Sequence, residues 1–125
     1  MGRPRQFDEG QVIAAAAAVF RQRGFACTSV DHLVEATGIH RGSLYGAFGS
    51  KHGVFLRVLE SVDAPEVTST DRLDLVLVAL LELAPADRRV RDRIARLIEA
   101  RAITREQLGT RLLARARLYE DEEEQ

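Results

Sequence analysis

Apolar side chains recur along the chain at three- and four-residue intervals rather than alternating, so the sequence reads as helical throughout. Val12, Ile13, Ala16, Val19 and Phe20 form the first stripe. Asp8 stands where a side chain caps a helix, Gln11 holds the capping-box position, and Phe7 and Val12 occupy the two places of a hydrophobic staple. Gly24 ends the stripe, which predicts a helix over Asp8 to Arg23. A second, short helix starts at Thr28 or Ser29, with Asp31 in its first turn to complement the helix dipole. It turns Val30, Leu33 and Val34 inward and breaks after Thr37, at Gly38 and Ile39. The third begins near His40 or Arg41, places Leu44 and Phe48 four residues apart on one face, and stops at Gly49. Ser50 caps a fourth, whose stripe is Val54, Phe55, Val58, Leu59 and Val62 and which runs until Pro65.

Asp63 to Thr70 combines a proline with three Ser/Thr residues and reads as a linker, the best domain boundary in the chain. From Arg72 to Leu83 nearly every position is apolar, so that helix needs cover on more than one side, from its own fold and from a partner subunit. Pro85 closes it. A further helix over about Asp87 to Ala102 turns Val90, Ile94, Leu97 and Ile98 inward, and Arg89, Arg93 and Arg96 outward as a solvated face. The last starts at Thr104 with a second capping box to Gln107 and carries Leu108, Leu112 and Tyr119 along one face before an acidic tail, Glu120 to Gln125. The predicted fold is all-α: a three-helix helix-turn-helix head with its N-terminal arm (1–50), a connecting fourth helix (51–62), and two or three C-terminal helices in a regulatory or dimerisation domain (63–125).

Charge sharpens this division. Residues 1–60 hold seven Lys/Arg against five acids, a net of +2, and the remainder eleven against fourteen, a net of −3. A basic front joined to an acidic back fits a nucleic-acid-facing module beside a solvated one. With 46% apolar and 30% charged residues the chain has the composition of a globular protein. The apolar run Leu75 to Leu81 is too short to span a bilayer. Its one cysteine, Cys27, builds no disulfide framework and reads as a small half-buried core residue, so a cytoplasmic protein is expected. His32, His40 and His52 lie on different helix starts without ligand spacing, and no glycine-rich phosphate loop, nucleophile elbow or paired acids stand out. No cofactor, metal site or catalytic activity is expected.

The second and third helices, joined by a glycine turn, form a helix-turn-helix in which Val30 to Thr37 positions and Arg41 to Phe48 recognises. Eight residues at a rise of ~1.5 Å make a rod of about 12 Å, which suits the major groove. Its outward residues are expected to be His40, Arg41, Ser43 and Ala47, with Gly42 bringing the backbone close to the sugar-phosphate edge.

Gly24-Phe25, Thr28-Ser29-Val30, Gly38-Ile39-His40-Arg41-Gly42-Ser43-Leu44-Tyr45 and Phe48-Gly49-Ser50-Lys51 together resemble, in order and spacing, the signature of the tetracycline-repressor (TetR) family. The likeness covers about the first sixty residues. It implies phosphate contacts from Thr28 and Ser29 at the start of helix two, from Tyr45 through its hydroxyl and from Lys51 at the start of helix four. Arg41 and Ser43 would face bases or nearby phosphates, His40 would bind a phosphate or close the turn, and Arg3 and Arg5 would enter the minor groove as an arm. Gly46 and Ala47 replace larger side chains common in the family, which thins direct base readout, and the second half is shorter than the family usually has, which puts a small-molecule inducer in doubt.

The expected function is a sequence-specific transcriptional regulator, a repressor binding a palindromic operator in double-stranded DNA as a homodimer. Leu73, Val76, Leu77, Leu80 and Leu81 are the expected dimerisation residues. The alternative is a protein-interaction module that pairs with a full-length family member and modulates it.

Overall fold

The computed structural model describes residues 7–118. Arg3, Arg5, Tyr119 and the acidic tail lie outside them. The described residues contain seven α-helices and no strand, the all-α class predicted. They divide into two compact units, one ending at Val62 and the other beginning at Asp63.

The first unit holds α1 (Glu9–Arg23), α2 (Val30–Thr37), α3 (Arg41–Phe48) and α4 (Lys51–Ser61). Asp8 caps α1 by accepting from the amides of Gly10 and Gln11. Ser29 caps α2 in a box completed by His32, whose Nδ1 accepts from the Ser29 amide at 3.0 Å. Gly38 closes α2 with φ of +76°, a left-handed conformation that costs a glycine little, and so sets the angle between α2 and α3. The core joins Val12, Ile13, Ala16 and Phe20 of α1 to Leu33, Leu44, Val54, Phe55, Val58 and Leu59. At its centre Phe20 meets Phe55 edge-on at 5.0 Å, and Phe25 from the α1–α2 turn meets Phe55 at 5.5 Å. Arg57 of α4 pairs with Glu9 and Glu60, tying α4 to the start of α1; the hydrogen bond to Glu9 raises the pKa of the guanidinium above its ordinary value.

The second unit holds α5 (Ser69–Val78), a five-residue π-helical turn (Ala79–Leu83), α6 (Arg88–Arg101) and α7 (Arg105–Arg115). Part of the expected linker is helix, because the Thr68 hydroxyl accepts from the Asp71 amide and starts α5 four residues before its apolar run. The π turn widens the end of that run, with the Ala84 amide reaching back to the Ala79 carbonyl just before Pro85. Leu75, Val76, Leu77, Val78, Ala79 and Leu83 are buried together with Val90, Ile94 and Leu97 of α6.

No residue of α7 is buried, and polar bonds tie it to α5. Arg111 Nε donates to Asp74 at 2.7 Å, and Arg115 pairs with the same carboxylate at 3.3 Å. The apolar run is therefore interrupted on its inner side by a charge that the sequence reading counted as an exception. α7 stops at Arg115, short of the expected Tyr119, because Arg117 turns left-handed (φ +62°) and the amides of Arg117 and Leu118 return to the carbonyls of Ala114 and Leu113.

Candidate nucleic-acid interface

The α2–turn–α3 unit presents the face on which Arg41, Gly42, Ser43, Tyr45 and Gly46 are exposed, while Leu44 fixes the opposite side of α3 in the core. Ala47 is half-buried, not outward as expected, because it follows Leu44 by three residues and shares its side of the helix. Beta-carbons added at Gly42 or Gly46 would meet nothing within 4 Å, so the protein packs no atom against either backbone position. His40 is the N-cap residue of α3; its imidazole is exposed and makes no capping bond.

The expected contacts at the start of α2 and α4 are placed differently. Thr28 is 1% exposed and its hydroxyl donates to the Gly24 carbonyl at 2.6 Å, so this side chain holds the α1–α2 turn and has no surface to offer a phosphate. Lys51 is half-buried and its Nζ donates to the carbonyls of Phe25 and Thr28, each at 3.0 Å, while lying 4.3 Å from the centre of the Phe25 ring. Two of its three N–H donors are spent inside the fold. Both residues position the interface from behind. Ser29 remains exposed, and its hydroxyl accepts the His32 amide at 3.0 Å as a cap, leaving its own hydrogen for an outside acceptor.

Two features were not legible in the sequence. Arg41 forms an ion pair with Asp31 across the helix-turn-helix, between residues ten apart that no helical spacing connects. Gly53 is required by contact: a β-carbon there would lie 1.8 Å from the Phe48 carbonyl oxygen, so α4 crosses the end of α3 at a distance only glycine permits. Cys27, expected to be half-buried, is exposed in the α1–α2 turn.

Of the expected dimerisation residues, Val76 and Leu77 are buried, at 0% and 4% exposure, and have no surface to share. The run is expected to take cover from its own fold and from a partner subunit, and at these two positions no surface remains for the partner. Leu73 and Leu80 are half-buried, and Leu81 is exposed, as are Leu112, Leu113 and Leu118.

Residues 12–58 match the family profile "Bacterial regulatory proteins, tetR family". The chain is similar to the HTH-type transcriptional repressor BdcR of Escherichia coli K12, with 43% identity over 77 residues that cover 57% of this chain and 39% of that protein. It is also similar to the HTH-type transcriptional repressor ComR of the same organism, with 42% identity over 59 residues covering 47% and 28% of the two chains. A third relative, the HTH-type transcriptional activator FasR of Mycolicibacterium smegmatis, is 35% identical over 57 residues covering 46% and 26%. These matches span less than two-fifths of the relatives' own lengths. No solved structure matches the chain significantly. The profile lies across α1 to α4 with the helix-turn-helix inside it, so the N-terminal unit is similar to the bacterial regulatory proteins of the tetR family.

Proposed function

We propose that the chain is a sequence-specific repressor that binds a palindromic operator as a homodimer. The observation that carries this is the outer face of α3. Gly42 and Gly46 stand there exposed and unpacked, although alanine at a helix interior position is more stable by roughly 0.5–1 kcal/mol. Bare backbone beside Arg41, Ser43 and Tyr45 suits close seating in a major groove, with the two side chains at the start of α3 nearest the base edges. Ser29 and the Tyr45 hydroxyl take phosphates, His40 closes the turn or takes another, and Arg3 and Arg5 form a minor-groove arm.

The relatives BdcR and ComR are repressors by name, and FasR is an activator. A single head reaches few bases, so two heads separated by about 34 Å read the operator together. The exposed leucines of the second unit, Leu81, Leu112, Leu113 and Leu118, supply the apolar surface for pairing.

The test is selection of DNA from a random pool by the purified protein at two salt concentrations, alongside its sedimentation mass. Enrichment of an inverted repeat by a dimer, with affinity falling steeply as salt rises, is the expected result. If no sequence is enriched while the chain co-sediments with a full-length family member, it is an interaction module instead.

A further inference from the structure

The Asp31–Arg41 pair lies on the surface that meets DNA under the proposed function, and the inference drawn from it rests on that reading. Asp31 is the second residue of α2 and Arg41 the first of α3. Their side chains are 81% and 52% exposed, so the pair sits at the edge of the recognition face rather than in the core. A carboxylate at such a place is unfavourable for general DNA affinity, because it opposes the phosphate charge and neutralises one of the few cations near α3. Within residues 25–50, Arg41 is the one Lys or Arg.

We infer that Asp31 is a specificity-determining residue: it holds the Arg41 guanidinium in place and directs it toward a neutral base-edge acceptor in preference to a phosphate. The pair uses one Nη2 donor of Arg41. A guanidinium carries five N–H donors in a planar fork, so the remainder can still approach a guanine, whose O6 and N7 accept two parallel bonds. Fixing a long side chain beforehand removes the ordering cost that a free arginine meets on binding. The same carboxylate repels a phosphate brought to that fork but not an uncharged base, so the bias is toward readout and against non-specific attachment. Asp31 acts through Arg41 and is a positioning residue.

The experiment compares wild type, Asp31→Asn, Asp31→Glu, Arg41→Ala and the Asp31→Asn/Arg41→Ala double variant, all checked for folding by circular dichroism. Each undergoes DNA selection, and each is titrated against a random-sequence duplex over a range of salt. Asp31→Asn is expected to bind the random duplex up to about fivefold more tightly, the scale of one exposed ion pair. Its plot of log affinity against log salt steepens by about 0.9, the increment for one further cation on phosphate. Its base preference flattens at the same operator position where Arg41→Ala loses preference, and Asp31→Glu retains it. In the double variant the Asp31 effect disappears.

The inference is overturned if Asp31→Asn selects the wild-type sequence with wild-type affinity for the random duplex, or if its effect persists undiminished without Arg41. If wild type itself binds no duplex, the regulator reading falls and takes this inference with it. A wild type that selects an inverted repeat leaves the regulator reading standing whatever Asp31 does.

Discussion

At the scale of single residues, the side chains that build the interface separate from those that touch its outer surface, and substitutions tell them apart. Gly46 is exposed in mid-helix with open space around it, so Gly46→Ala is expected to stabilise the fold by about 0.5–1 kcal/mol while weakening operator binding roughly tenfold. Denaturant unfolding and DNA titration of one preparation check both; unchanged DNA affinity would mean that this backbone does not approach the duplex. Thr28→Val moves the opposite way. It removes a buried O–H donor from the Gly24 carbonyl, for a loss of about 1–2 kcal/mol of stability, and leaves the DNA affinity of the folded protein as it was. Lost affinity at unchanged stability would put that hydroxyl on a phosphate after all. The sequence motif marks Thr28 and Lys51 as important without distinguishing a contact from a brace, since both roles ask for a polar side chain at a helix start. Only burial and the direction of the hydrogen bonds separate the two.

At the scale of elements, helix ends were the most legible feature. α2 and α3 run over the residues the sequence predicted, because Ser29, Gly38 and Gly49 each act on their immediate neighbours. Where a cap and a loop use the same residue types the reading fails, as at Thr68, and it fails again at the end of α7, which no glycine marks, whereas the end of α6 agrees with the predicted helix. Ala102 ends α6 in the left-handed conformation (φ +53°), with the Ile103 amide returning to the Ile98 carbonyl at 3.0 Å. A β-carbon is disfavoured there, so Ala102→Gly is expected to add about 0.5–1 kcal/mol, measured by denaturant unfolding; destabilisation would mean that the alanine methyl contributes more than the strain costs. α7 depends on longer-range pairing. Asp74 lies 37 residues from Arg111, a separation no periodicity reveals, and its carboxylate binds both Arg111 and Arg115. Asp74→Ala removes the carboxylate that two half-buried cations share, at a cost of about 2 kcal/mol. Amide hydrogen exchange should then quicken in α7 while α6 stays protected, and unchanged α7 protection would show that apolar contacts alone hold it.

For the molecule as a whole, the feature that misled the sequence reading was the apolar density of the second unit. Twelve mostly apolar positions in a row imply that the helix is covered, but not by what, and here Val76 and Leu77 are already buried within the chain. A glutamate at Leu77 would therefore report on folding rather than on association. Among the described residues of the second unit, the exposed large apolar side chains are Leu81, Leu112, Leu113 and Leu118, the set that the proposed homodimer would use. Leu112→Glu with Leu113→Glu places two charges on that surface without entering the core, since each leucine is already 38% exposed. Under the homodimer reading this variant sediments as a folded monomer. Its helix-turn-helix is untouched, so each head keeps its own affinity for a half-site, but the second head no longer binds as an intramolecular event. Affinity for the full inverted repeat then falls by about 10²- to 10⁴-fold while affinity for an isolated half-site stays constant. A double variant that remains dimeric would move the interface away from α7. A folded monomer that binds the full repeat as tightly as wild type would mean that one head suffices, and that the operator is not read by a pair.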